Sequence, residues 1–229
     1  MEENERLFES KIEEYLISRD GGWERSTDVG FRNADAVDIE TLCTFVENTQ
    51  QLVWTQFVKR CKDGTDPKIK FLKAFEDAVL MDGMVNVLRH GFKHRGLEFK
   101  VCYFRPESGL NQLAETRYSQ NICQCVRQWH YSVSNSNSVD MMLAINGIPL
   151  AAIELKNQFT GQSVDNAMEQ WMTNRDKREP AFSFNHRVLV FFAVEVLVLC
   201  AMIAIPQNKA EYIIIIGAQI REKTITGSL

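Results

Sequence analysis

The chain has 229 residues, 45% of them apolar and 24% charged, and carries a net charge of −4. This is the composition of a globular protein with one sizeable core, and it excludes a uniformly basic nucleic-acid coat and a low-hydropathy disordered chain. The charge is nevertheless segregated: residues 1–50 hold 13 acids against 5 bases, whereas residues 51–100 hold 10 bases against 6 acids. That basic middle is a possible duplex-facing surface or a solvated helix face.

In chain order, Leu7, Phe8, Ile12, Tyr15 and Leu16 recur at helical spacing, and Gly21-Gly22 ends the pattern. Further helices are predicted from about Ile39 to Val58 and from Phe71 to Leu80, the latter stopped by Asp82-Gly83. From Leu97 the pattern turns to strands, over Leu97–Phe104, Asn121–Val133, Val139–Ile145 and Ile148–Leu155. A helix capped by Ser163 follows to Thr173, with apolar strands near Val188–Val194 and Tyr212–Ile216. The expected division is a helical part over 1–96, an α/β core over 97–194 and a divergent tail over 195–229.

The run from Val188 to Ile205 has 18 residues and one charge, Glu195, which is the lower limit for a membrane span. A mid-span carboxylate is costly there, so two buried strands are the better account, and no membrane association is expected. The six cysteines show neither disulfide nor zinc spacing and read as reduced thiols of a cytoplasmic protein. His90 and His94 could face one way on a helix, but a third ligand is missing.

Chemistry concentrates in the stretch from Ser138 to Asn157, where Asn146-Gly147 signals a β-hairpin. With a two-residue turn, Ile145 opposes Ile148 and Asp140 opposes Ile153, which sends Glu154 to the other face. One extra residue in the loop, made plausible by Pro149, instead brings Asp140 opposite Glu154. Asp140, Glu154 and Lys156 then share a face with Ala144 and Ala152. Met141, Leu143, Ile145, Ala151, Ile153 and Leu155 share the opposite, apolar face. Opposed carboxylates repel unless a cation lies between them, and an all-oxygen set completed by a backbone carbonyl suits Mg²⁺. Lys156 could serve the reaction or merely pair with a carboxylate, and its spacing leaves both readings open. Arg127 and Gln128 are candidate phosphate contacts or cross-strand partners.

Asp140, thirteen residues, then Glu154-Leu155-Lys156 resembles the PD-(D/E)xK nuclease superfamily. The wider text is more specific: Tyr118-Ser-Gln-Asn121, Val126-Arg-Gln128, Asn137-Ser-Val-Asp140, Asn146-Gly-Ile-Pro149, Ile153-Glu-Leu-Lys-Asn157, Thr160-Gly-Gln162 and Gln170. With Phe8-Glu-Ser-Lys-Ile-Glu13 and Thr49-Gln50, these resemble the N-terminal region of the R subunit of type I restriction enzymes, over roughly residues 5–194. The resemblance implies a restriction-endonuclease-like α/β fold, with a mixed central sheet flanked by helices, that cleaves DNA. It implies Mg²⁺, with Mn²⁺ as a substitute, held by Asp140, Glu154 and the Leu155 backbone carbonyl. Lys156 is then catalytic and Gln170 supportive. Methylation and specificity subunits are the implied partners. Many relatives place a tyrosine four residues after this glutamine, where Asn174 stands here. The chain contains no Gly-x4-Gly-Lys-Ser/Thr phosphate loop, so no ATP site is expected, and the reading is of a truncated or divergent R subunit. A catalytically silent DNA-binding or docking remnant is the alternative.

Overall fold

The structure, a computed structural model, describes residues 2–32, 34–61, 64–132, 134–156, 163–176, 178–194, 198–203 and 214–219. Asn157, Thr160-Gly-Gln162, Glu195 and most of the tail lie outside these. The described residues form a mixed α/β fold with a mixed sheet flanked by helices.

Helix α1 spans Glu2–Leu16, and α2 (Ile39–Thr49) and α3 (Gln51–Arg60) follow strand β1 (Glu24–Ser26). The single helix expected from Ile39 to Val58 is divided at Gln50, whose backbone leaves the helical region at φ −137 and ψ 42. The reason lies in its side chain. Its amide donates to the Lys100 carbonyl and accepts from the Lys100 N–H, both at 2.8 Å, pairing with that backbone as a strand would. Helix α4 runs Pro67–Asp82, with Pro67 in its first turn and Asp66 capping the Lys68 N–H, and Gly83 ends it at φ 79. The short helix α5 (Met84–His90) follows.

Strands β2 (Phe92–His94) and β3 (Leu97–Phe99) form a separate antiparallel hairpin, shorter than the strand expected over Leu97–Phe104. His90 ends a helix and His94 lies in β2, so the two never share a helix face. Helix α6 (Gln112–Ser119) leads into β4 (Cys123–His130), β5 (Ser138–Ile145) and β6 (Ile148–Leu155). Helix α7 (Val164–Glu169) then crosses over to β7 (Val190–Val194), which is followed by β8 (Val198–Ile203) and β9 (Ile214–Gln219).

The main sheet has the order β1-β4-β5-β6-β7-β8-β9. Pairs β1–β4 and β6–β7 are parallel, and the others are antiparallel. The apolar run from Val188 is therefore two antiparallel strands, and no helix is long and apolar enough to cross a membrane among the described residues. The opening part supplies edge strand β1, and residues after 194 supply β8 and β9, so all three expected segments contribute to one sheet.

Three apolar clusters follow from this layout. In the first, Phe57, Phe71, Phe75 and Phe99 of the N-terminal helices and small hairpin are fully buried around the β5–β6 tip residue Ile148. Each such phenylalanine contributes about 1.5–3 kcal/mol of burial. The second lies on one face of the main sheet beneath α7, and the third on the other face beneath α1. Helix α1 is also held by charge: Glu9 and Glu13, only 4% and 5% exposed, meet Arg127, Gln128 and Arg25 of the sheet. Cys43, Cys61, Cys102, Cys123 and Cys125 are free thiols.

Candidate metal centre

The site rests on the register of the β5–β6 hairpin. Asn146 and Gly147 both have positive φ, 53 and 80, as a tight two-residue turn of this hand requires. A side chain at Gly147 would collide with the Asp38 carbonyl, 2.3 Å from where its Cβ would stand. Asn146 is fully buried and accepts from the Ile122 N–H at 2.7 Å while donating to the Val101 carbonyl at 2.8 Å and to Asn121 Oδ1 at 3.0 Å.

The pairing begins Ile145 with Ile148 and Ala144 with Pro149, then shifts so that Leu143 opposes Ala151 and Met141 opposes Ile153. The extra residue expected in the loop is Leu150, placed instead within the strand as a bulge. Continuing this register sets Asp140 against Glu154, as the one-residue shift requires. Met142, Ala144 and Ala152 lie on the α7 face. Met141, Leu143, Ile153 and Leu155 lie on the α1 face. Ile145 departs from the expected grouping, because beyond the bulge it packs into the first cluster.

Asp140 Oδ2 accepts from the Leu155 N–H at 2.7 Å, which ties the aspartate to the neighbouring strand. Glu154 is 2% exposed. Burial and then the nearby Asp140 charge push its carboxyl up to about 7, outweighing the opposing pull of Arg175 and Lys156. Lys156 follows β6 directly, and its backbone N–H donates to the Val194 carbonyl at 2.7 Å, continuing the β6–β7 pairing.

Arg175 escaped the sequence reading. Its guanidinium is ion-paired with Glu154, donates to Tyr131 Oη at 3.0 Å, and lies 5.3 and 5.6 Å from the centres of the Tyr131 and Trp171 rings. Burial alone would lower its pKa, but Glu154 and Tyr131 hold it above the ordinary arginine value. It stands one residue past Asn174, which follows Gln170 by four residues. The physical reason is local winding: α7 passes into a π-helical turn over Gln170–Asn174. An i→i+5 turn carries one more residue than an α-turn, so position 175 rather than 174 comes round after Gln170. The sequence signal was available only as a basic residue next to an expected motif position.

Gln170 opens that π-turn and is half-buried, while Asn174 is exposed and receives a hydrogen bond from Thr173. Trp171 fastens the turn to β7, donating from Nε1 to the Phe192 carbonyl at 3.2 Å. Ser163 starts α7 as expected, its backbone N–H donating to Asn166 Oδ1 at 2.8 Å.

Arg127 and Gln128 are placed elsewhere. Arg127 Nε donates to Glu9 Oε1 at 2.6 Å and Gln128 Nε2 to Glu9 Oε2 at 3.2 Å, so both serve α1. Gln128 reaches that side because its backbone is left-handed, at φ 49, which breaks the strand alternation.

Among the described residues no group of three or more His, Cys, Asp or Glu side chains converges. Asp140 and Glu154 are two carboxylates on adjacent strands; with the expected Leu155 carbonyl they would make a hard all-oxygen set of the kind Mg²⁺ accepts with waters completing its shell. Burial and the Asp140 charge disfavour the ionised form of Glu154 even with Arg175 and Lys156 nearby, a condition that a divalent cation would relieve. The residues therefore fit such an ion.

A mixed α/β sheet with an opposed aspartate and glutamate, and a lysine two residues beyond, is the arrangement of a restriction-endonuclease-like protein. The chain belongs to the type I restriction enzyme R protein N terminus family, whose model matches residues 9–208. Comparison with curated proteins gives no match.

Proposed function

We propose that this region of a type I restriction enzyme R subunit is a Mg²⁺-dependent DNA endonuclease that hydrolyses phosphodiester bonds. On this reading it works beside methylation and specificity subunits, which supply sequence recognition. The observation that supports it most is the bulged hairpin register, which gathers Asp140, Glu154 and Lys156 on one face.

Asp140, Glu154 and the Leu155 carbonyl would hold the ion, with Mn²⁺ serving in its place. When bound, the cation supplies positive charge against the scissile phosphate and acidifies water. Asp140 is fixed for this by the Leu155 N–H. Lys156 offers an ammonium to the attacking water or to negative charge growing on the phosphate. Trp171 of the π-turn and the neighbouring Tyr131 pack against Arg175 and would limit access of bulk water to its partner Glu154, and Gln170 would support the site from the same turn.

The test is cleavage of plasmid DNA with Mg²⁺ by the parent and by Lys156→Ala, alongside Mn²⁺ titration of the parent and Asp140→Ala. A loss of about 100-fold or more in cutting is expected for Lys156→Ala. Mn²⁺ binding is expected to vanish in Asp140→Ala. A docking module that has lost its chemistry is the second reading, favoured by the ion pair already engaging Glu154. It predicts that the parent neither cuts nor binds the metal through Asp140.

A further inference from the structure

The position of Arg175 carries a consequence for how such an ion would enter. We propose that Arg175 is an exchangeable counter-ion, which holds Glu154 while no metal is bound and surrenders that carboxylate to an incoming divalent cation. This inference rests on the nuclease reading above.

Three observations support it. The first is the form of the contact. An arginine committed to a carboxylate commonly uses two N–H groups at once. Here only the outer nitrogen Nη2 meets Glu154, while Nη1 donates to Tyr131 and the buried Nε has no hydrogen-bond partner. The guanidinium is held by a single-point ion pair and leaves one donor unsatisfied, which is a poor fit for a permanent structural bridge.

The second is its mounting. Arg175 is the residue at which the π-turn ends, with an extended backbone at φ −95 and ψ 124. Beyond Glu154 and Tyr131 Oη, it is held by the faces of Tyr131 and Trp171. Cation–π attraction varies gently with position over a ring, so these faces can keep hold of the guanidinium while it changes partner.

The third is charge. Asp140 and Glu154 are matched by Lys156 and Arg175, two negative groups against two positive. A divalent cation seated between the carboxylates would add two charges a few ångströms from a guanidinium with which it shares Glu154. Both cations cannot keep the same short contact, and the ion that binds both carboxylates at once has the advantage.

The experiment is a calorimetric Mn²⁺ titration, without DNA, of the parent, Arg175→Met, Arg175→Lys and Asp140→Ala. Methionine keeps the stem between the two rings and removes the competing charge. Arg175→Met is expected to bind Mn²⁺ about tenfold more tightly than the parent, and Arg175→Lys to stay near the parent. A residue that only shapes the site would weaken metal binding when removed, so equal or weaker binding by a folded Arg175→Met overturns the proposal. If binding in the parent does not depend on Asp140, the nuclease reading itself falls, which separates the two failures.

Should Arg175→Met fail to fold, the parent gives the answer through Trp171 emission. Mn²⁺ quenches tryptophan, so this titration uses Mg²⁺. The shift of the guanidinium over the ring as it leaves Glu154 is expected to change the fluorescence by an amount that disappears in Trp171→Phe. No Trp171-dependent change at metal saturation overturns the exchange.

Discussion

A carboxyl held near neutrality makes the metal-free site sensitive to pH, and the sign can be worked out from Glu154. Its folded value, pushed up to about 7 by burial and Asp140, lies above the ordinary glutamate value of 4.5. Between the two the folded state binds the extra proton, so the contribution of Glu154 to stability is full below about 4.5 and is lost as pH rises through about 7. In EDTA the parent is expected to melt at a higher temperature at pH 5.5 than at pH 8, relative to the same difference in Glu154→Gln, when both are followed by calorimetry. Metal affinity should run the other way, rising as pH passes about 7 because the protonated acid cannot ligate. At this scale the sequence was informative where a strand register alone decides which side chains meet. The proximity of Asp140 to Glu154 was readable from type and spacing, whereas Arg175 depends on a π-turn that no residue pattern announces. Other motif positions turn out to clamp backbone: Gln50 grips Lys100, and Asn121 holds both the N–H and the carbonyl of Tyr103.

Within the hairpin, Leu150 is the residue that the bulge takes up. Pro149 correctly signalled that one residue must be accommodated, yet the extra residue sits in the strand because Asn146-Gly147 already makes a complete turn locked to its surroundings. Deleting Leu150 is expected to close the bulge and join Pro149 to Ala151, leaving Leu143 against Ala151 and Asp140 against Glu154 in an unbroken register. The measurement is Mn²⁺ binding together with circular dichroism; Asp140-dependent binding and the strand signal should both persist. The tip itself is expected to be costly to disturb. Asn146→Ala strands the Ile122 N–H and the Val101 carbonyl and leaves alanine in a left-handed backbone, a loss of about 2–4 kcal/mol measurable by urea titration.

For the molecule as a whole, the sheet was legible from alternation and turn residues, and the long helices from their periodicity. Strand β1 was not, because Glu24-Arg25-Ser26 has no apolar alternation and is ordered only by lying parallel to β4. Helix α6 buries no residue, so its sequence lacks the apolar stripe by which helices are recognised. Charge proved hardest to place. Arg127 was open to a phosphate contact or a cross-strand partner role, and it pairs with two buried glutamates of α1 over a separation of more than 100 residues. Arg127→Ala is expected to cost about 2 kcal/mol through those lost charge-assisted bonds. Duplex affinity, measured by fluorescence anisotropy, should be unchanged.

The β5–β6 hairpin contributes Ile148 to the first apolar cluster, Met142 and Ala152 to the second, and Met141 and Ile153 to the third. No cluster can lose its order without stripping a wall from the other two. The helical part and the sheet are therefore bound into a single cooperative unit: heating should melt them together, with tryptophan emission and helical ellipticity falling on the same curve.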